Sequence, residues 1–141
     1  VRFNSGVKGQ TKMKVNQWIS EFHNLIAIDN RETLARYMPA LPRLIAADGF
    51  SMSIQAGFYV WATPRFDFAY YEEVEIGFPS AVQKTLLPYV DITGDVFGYV
   101  PIKIVNKIIR KHGGVPDNNL LEAKIEYIAR AKISYLASSK L

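Results

Sequence analysis

The chain has 141 residues, a net charge of +4 and no cysteine, with 49% hydrophobic and 21% charged residues. That length suits one domain, which buries about 68–70% of its unfolded surface without covalent staples. The missing cysteine excludes disulfides, iron–sulfur clusters, thiolate zinc sites and thiol catalysis.

No apolar run approaches the roughly 18–20 residues of a membrane helix, and no signal-peptide pattern opens the chain. Composition therefore predicts a small soluble domain of the cytoplasm, with no cofactor and no membrane. Charge is unevenly placed along it. Residues 1–14 carry Arg2, Lys8, Lys12 and Lys14 with no acid, residues 15–100 net −5 and residues 101–141 net +5. Such asymmetry steers a charged partner, unless the basic ends fold back and neutralise the acidic middle. Both readings are open from sequence.

Residues 1–14 read as a basic arm, rich in Gly, Lys, Ser and Asn, ahead of a single domain over 15–141. Asn16 is placed to cap a first helix whose Trp18, Phe22, Leu25 and Ile26 share one face. Asp29 and Glu32, at capping-box spacing, predict a break and a second helix carrying Leu34, Tyr37, Met38 and Leu41. Pro39 and Pro42 then interrupt it. Asp48-Gly49 is a turn signal, and after it the period changes from helical to alternating.

Phe50–Val60 alternates apolar with polar residues and predicts the clearest strand. Tyr71–Phe78 repeats the pattern, after a loop from about Ala62 to Ala69. Ser80 and Gln83 predict a capped short helix through Leu87. A turn over Asp91–Asp95 leads to a third strand, Val96–Val100. Pro101 sits at the first position of a helix carrying Ile102, Val105, Ile108 and Ile109, closed by Gly113-Gly114. Asp117 or Asn118 caps a last helix with Leu121, Ile125, Ile128 and Tyr135 on one stripe. These elements make an α+β domain, a small, mostly antiparallel sheet of two or three strands packed against several helices.

Catalytic signals are sparse. There is no phosphate loop, dinucleotide fingerprint or nucleophile elbow, and His23 and His112 are far apart in sequence. His112 reads as a favourable cation at a helix C-terminus, and His23 as a boundary residue. Glu72, Glu73 and Glu75 read as a solvated strand face, with carboxylate chemistry the one catalytic alternative. The expectation is a protein that is not an enzyme.

Two clusters are candidates for binding. Tyr59, Trp61, Pro64, Arg65, Phe66, Phe68, Tyr70 and Tyr71 crowd one strand-to-strand connection, and Trp, Tyr and Arg carry much of the binding energy at protein interfaces. The competing reading makes these rings a cap on one end of the core. The proposed partner-binding residues are Trp61, Arg65, Phe66 and Phe68, flanked by Glu72, Glu73 and Glu75. Lys103, Lys107, Arg110 and Lys111 recur at helical spacing and offer phosphate contacts, or simply a solvated helix face.

Three stretches carry a resemblance: Asp48-Gly49-Phe50-Ser51-Met52-Ser53-Ile54-Gln55-Ala56, Val74-Glu75-Ile76-Gly77-Phe78-Pro79-Ser80, and Gly98-Tyr99-Val100-Pro101 running to Lys111-His112-Gly113-Gly114. Together they resemble a set of small uncharacterised proteins encoded by tailed bacteriophages. The resemblance implies a setting, the bacterial cytoplasm during infection, and brings no catalytic residue. It implies a host or phage protein as partner, including a defence or nucleic-acid enzyme to be inhibited. The alternative is a small nucleic-acid-binding accessory protein using the basic arm and C-terminal helices. Oligomeric state is open, self-association included.

Overall fold

The computed structural model describes the backbone of residues 13–35 and 39–139, with side chains at 13–25 and 39–137. The N-terminal arm up to Lys12, and Tyr37 and Met38 of the predicted second helix, lie outside the described residues.

Helix α1 spans Val15–Ala35. Its start is fixed by Gln17, whose Oε1 accepts the Lys14 N–H at 2.9 Å, and by Asn106, whose Oδ1 accepts the Val15 N–H at 2.8 Å. Asn16 is therefore not the cap. The expected break at Asp29 is also absent, since the helix runs through it without Gly or Pro. Asp and Asn each cost a helix less than about 0.7 kcal/mol relative to Ala, too little to stop one.

An extended segment containing Leu41 leads to β1, Leu44–Ile45, which pairs antiparallel with β2, Ser51–Gln55. The Asp48-Gly49 turn joins them, as its residues predict. β3, Glu73–Gly77, and β4, Val96–Pro101, complete a four-stranded antiparallel sheet in the order β1-β2-β3-β4. The extra strand, β1, is two residues long and follows Pro42, so it shows no alternation to read. β2 ends at Gln55 rather than Val60. Alternation continues in sequence, but at Gly57 the backbone takes φ +148°, and the chain turns.

One sheet face is apolar throughout: Met52, Ile54, Val74, Ile76, Phe97 and Val100 are all buried. Against it pack Val15, Trp18, Ile19 and Phe22 of α1, together with Val105, Ile108 and Ile109 of α2, Ile102–Lys111. A 3-10 helix, Lys84–Tyr89, inserts Leu86 into the same core. It is not capped as expected, because the Ser80 hydroxyl accepts the Ser51 N–H and Gln83 makes no capping bond. Pro101 ends β4 and precedes α2 directly, close to its predicted place, and α2 stops at the Gly113-Gly114 pair.

The last helix, α3, spans Asp117–Ser139 and faces the other way from expectation. Its buried side is Ala123, Tyr127 and Ala131, while Leu121, Ile125, Ile128 and Tyr135 lie outward. Small residues above and below Tyr127 leave room for its ring to pack edge-on to Phe22 at 5.3 Å. Lys124 fixes the rotation by binding Glu21 of α1 at 2.6 Å. Burial holds the Tyr127 phenol above its usual pKa, and its hydroxyl has no hydrogen-bond partner among the described residues. Also among them, no helix is long and apolar enough to cross a membrane.

Candidate functional site: the aromatic loop

The connection from β2 to β3 is long, yet its backbone is tied down at four places. At its start, the Asp67 carboxylate reaches back across the loop and accepts the Phe58 N–H at 3.0 Å. The approach is close: a Cβ on Gly57 would lie 2.6 Å from Asp67 Oδ1, so only glycine fits there.

The second tie is Trp61. Its ring lies over Gly98 of β4, where a Cβ would come within 2.8 Å of Trp61 Cε3. Its N–H donates to Glu75 Oε2 at 3.1 Å, and its carbonyl accepts the Tyr99 N–H at 3.0 Å. This explains a local irregularity in the sheet. Val74 pairs with Val100 and Ile76 with Phe97, so Gly98 and Tyr99 together oppose Glu75 in a bulge. Tyr99 takes φ +54° there, a left-handed conformation that costs a bulky residue on the order of 1 kcal/mol. The bond to Trp61 helps hold it.

Thr63 is the third tie. Its N–H and carbonyl pair with the backbone of Glu72 and Glu73, and its hydroxyl donates to Glu73 Oε1 at 2.6 Å. The fourth is Tyr71, a fully buried ring. Its N–H donates to Asn16 Oδ1 and its carbonyl accepts from Asn16 Nδ2, both at 2.9 Å. The Asn16 amide thus completes this strand end as a neighbouring backbone would. The Tyr71 hydroxyl donates to the Phe66 carbonyl at 2.6 Å, and burial raises the pKa of the phenol.

With the backbone pinned, most of the loop's rings point outward. Tyr59 is 88% exposed, Tyr70 75% and Phe66 66%; Phe58 and Trp61 are also exposed. Arg65 stands among them with no ion pair or hydrogen bond to a described residue. Phe68 differs: it is partly buried and packs edge-on against His23 at 5.2 Å. Glu72 is exposed, whereas the half-buried Glu73 and Glu75 turn their carboxylates onto Thr63 and Trp61. Trp61 thus meets Glu75 and Thr63 meets Glu73; Arg65, Phe66 and Glu72 stand exposed, and Phe68 turns away onto His23.

Asn16 and Asp67, which shape the site, carry no sequence signal for that role. Each is a polar residue whose partner lies well along the chain. His23 is a core residue rather than a boundary one. Burial lowers its pKa, offset only in part by the Asp67 carboxylate, and its Nε2 has no described partner.

His112 meets Asp48, with Nδ1 and Oδ2 2.7 Å apart, and stacks on Phe50 at 4.1 Å. The N–H of Phe50 and the His112 ring hold the Asp48 carboxyl below its usual pKa. Ser80 lines the same small cleft. The group does not form a triad, because His112 Nε2 faces Gln83 Oε1 and not the Ser80 hydroxyl. Its visible work is to clamp the β1–β2 turn onto the end of α2.

On α2, Lys103, Lys107, Arg110 and Lys111 are all exposed, away from buried Val105, Ile108 and Ile109. Comparison with known proteins finds no matching family model, no similar curated protein and no similar solved structure.

Proposed function

We propose that this chain is a non-enzymatic interaction protein that docks on another protein through the aromatic loop. One observation carries the reading: exposed rings of Phe58, Tyr59, Trp61, Phe66 and Tyr70 are mounted on a loop whose backbone is held by hydrogen bonds at Phe58, Trp61, Phe66 and Tyr71. A surface ordered before binding loses little conformational entropy when a partner arrives, so more of the ring burial appears as affinity. Tyrosine and tryptophan suit this use, offering large area with few rotatable bonds. Glu72, Glu73 and Glu75 edge the rings with negative charge, which favours a partner whose docking surface is basic. In the phage setting implied by the sequence resemblance, that partner is a host or phage protein of the bacterial cytoplasm. A defence or nucleic-acid enzyme, inhibited by occlusion of its basic groove, fits the charge.

The test is affinity capture from a bacterial host, comparing the wild-type chain with Tyr59→Ser/Phe66→Ser. Both rings are exposed, so the variant keeps its melting temperature. Loss of a specific captured protein, restored by Tyr59→Phe/Phe66→Tyr, supports the reading. Capture unaffected by the double substitution contradicts it.

A further inference from the structure

A second surface differs in chemistry from the aromatic loop. The 3-10 helix and α2 flank a cleft of about 540 Å³ lined by Val82, Gln83, Lys84, Thr85, Lys107, Ile108 and Lys111. Lys84 stands on one wall, Lys107 and Lys111 on the other. Among the described residues, no carboxylate lines it.

Among the described residues, its cations have no neutralising partner. Elsewhere, Lys124 is paired with Glu21 and Arg130 with Glu126. The side chains of Lys84, Lys103, Lys107, Arg110 and Lys111 have no ion pair or hydrogen bond among the described residues. Five acids of the middle segment are used locally. Asp67, Glu73 and Glu75 staple the aromatic loop, Asp48 holds His112, and Asp91 closes its own turn on Thr93 and Gly94.

We propose that this cleft binds the phosphate backbone of a nucleic acid, Lys84 on one wall and Lys107 and Lys111 on the other holding successive phosphates. Lys103 and Arg110 continue the track along α2. From Lys103 to Lys111 the helix rises by roughly 12 Å, at about 1.5 Å per residue. Cations spread over that length match a chain of phosphates better than one small anion, which would need donors converging on a point. The negative end of the α2 dipole also lies near Lys111, but it amounts to only about half a charge against several cations. Val82 and Ile108 add apolar walls without an aromatic platform, so the site reads backbone and not base sequence.

The test is fluorescence anisotropy of the full chain with labelled single-stranded 20-mers of unrelated sequence, titrated at several salt concentrations. Binding indifferent to sequence is expected, falling about fiftyfold between 50 and 200 mM salt if four phosphates are held. Lys84→Ala/Lys107→Ala/Lys111→Ala removes only exposed side chains. It should bind at least tenfold more weakly and flatten the logarithmic salt slope by about 2. Arg130→Ala/Lys132→Ala should bind as the wild type does. No binding at 50 mM salt overturns the proposal. So does a triple variant that binds normally, which would place the contacts on the basic arm. Displacement by inorganic phosphate, beyond what sodium chloride of equal ionic strength achieves, overturns it too, since that marks a small-anion site.

Discussion

In the loop between β2 and β3, Asp67, Glu73 and Glu75 point onto backbone N–H groups or a hydroxyl, and the rings are left outside. Across the 3-10 helix and α2 the arrangement is reversed: Leu86, Ile108 and Ile109 go inward and the lysines remain outside. Between the acidic middle of the chain and its basic end, the described residues show only the Lys124–Glu21 ion pair and the His112–Asp48 contact. Magnitudes explain the choice. A hydrogen bond to a charged group contributes about 1.5–3 kcal/mol, whereas an exposed ion pair contributes about 0–1 kcal/mol. A long loop that must satisfy its own N–H groups is the stronger claimant on nearby carboxylates.

The sharpest way to break the loop's half of this contrast is Asn16→Ala. It leaves both the N–H and the carbonyl of buried Tyr71 without a partner, at about 1–3 kcal/mol each. Urea unfolding should show a loss of about 2–4 kcal/mol. A loss under about 1 kcal/mol would mean that water replaces the amide. Gly98→Ala comes next, because the new methyl meets Trp61 rather than open space. Overpacking of this kind costs about 1–3 kcal/mol, and Trp61 fluorescence should shift as the ring is displaced. An unchanged spectrum would show that the loop lacks the packing described.

A smaller effect is the pH response of His23. Its folded pKa lies below the unfolded value of about 6.5, so the unfolded chain takes up the proton first. Stability should therefore fall as pH drops below about 6.5, until the folded pKa is reached. His23→Phe should flatten the melting-temperature profile in that window. Asp48 and Asp91, whose folded pKa values are also depressed, act only in the acid range below it. Smallest is the stability cost of Tyr59→Ser/Phe66→Ser, expected within about 0.5 kcal/mol because both rings face solvent. A larger loss would make those rings part of the core.

Much of the α+β architecture was legible because Met52, Ile54, Val74 and Ile76 alternate with polar neighbours, and because Asp48-Gly49 and Gly113-Gly114 mark real chain reversals. Periodicity says that a helix has an apolar stripe, but not that the stripe is the one buried. In α3 the alanines beside Tyr127 won over Leu121, Ile125 and Ile128, since close approach to α1 needs small side chains. The aromatic crowding of the loop was visible too, but which rings face out was not. That depends on Asp67 reaching Gly57 and on Asn16 reaching Tyr71, pairings with no local signature. Lys84 was invisible as a member of the basic cleft for the same reason.

Amide hydrogen exchange, resolved by residue, tests most directly whether the loop is a pinned platform. The N–H groups of Phe58, Trp61, Thr63 and Tyr71 each have a named acceptor and should exchange slowly, as β3 amides do. Asp67→Ala should release Phe58 while leaving Tyr71 protected. Exchange of all four amides at the rate of an unfolded chain would contradict the account, because rings on a backbone that is not held would have no ordered surface to offer a partner.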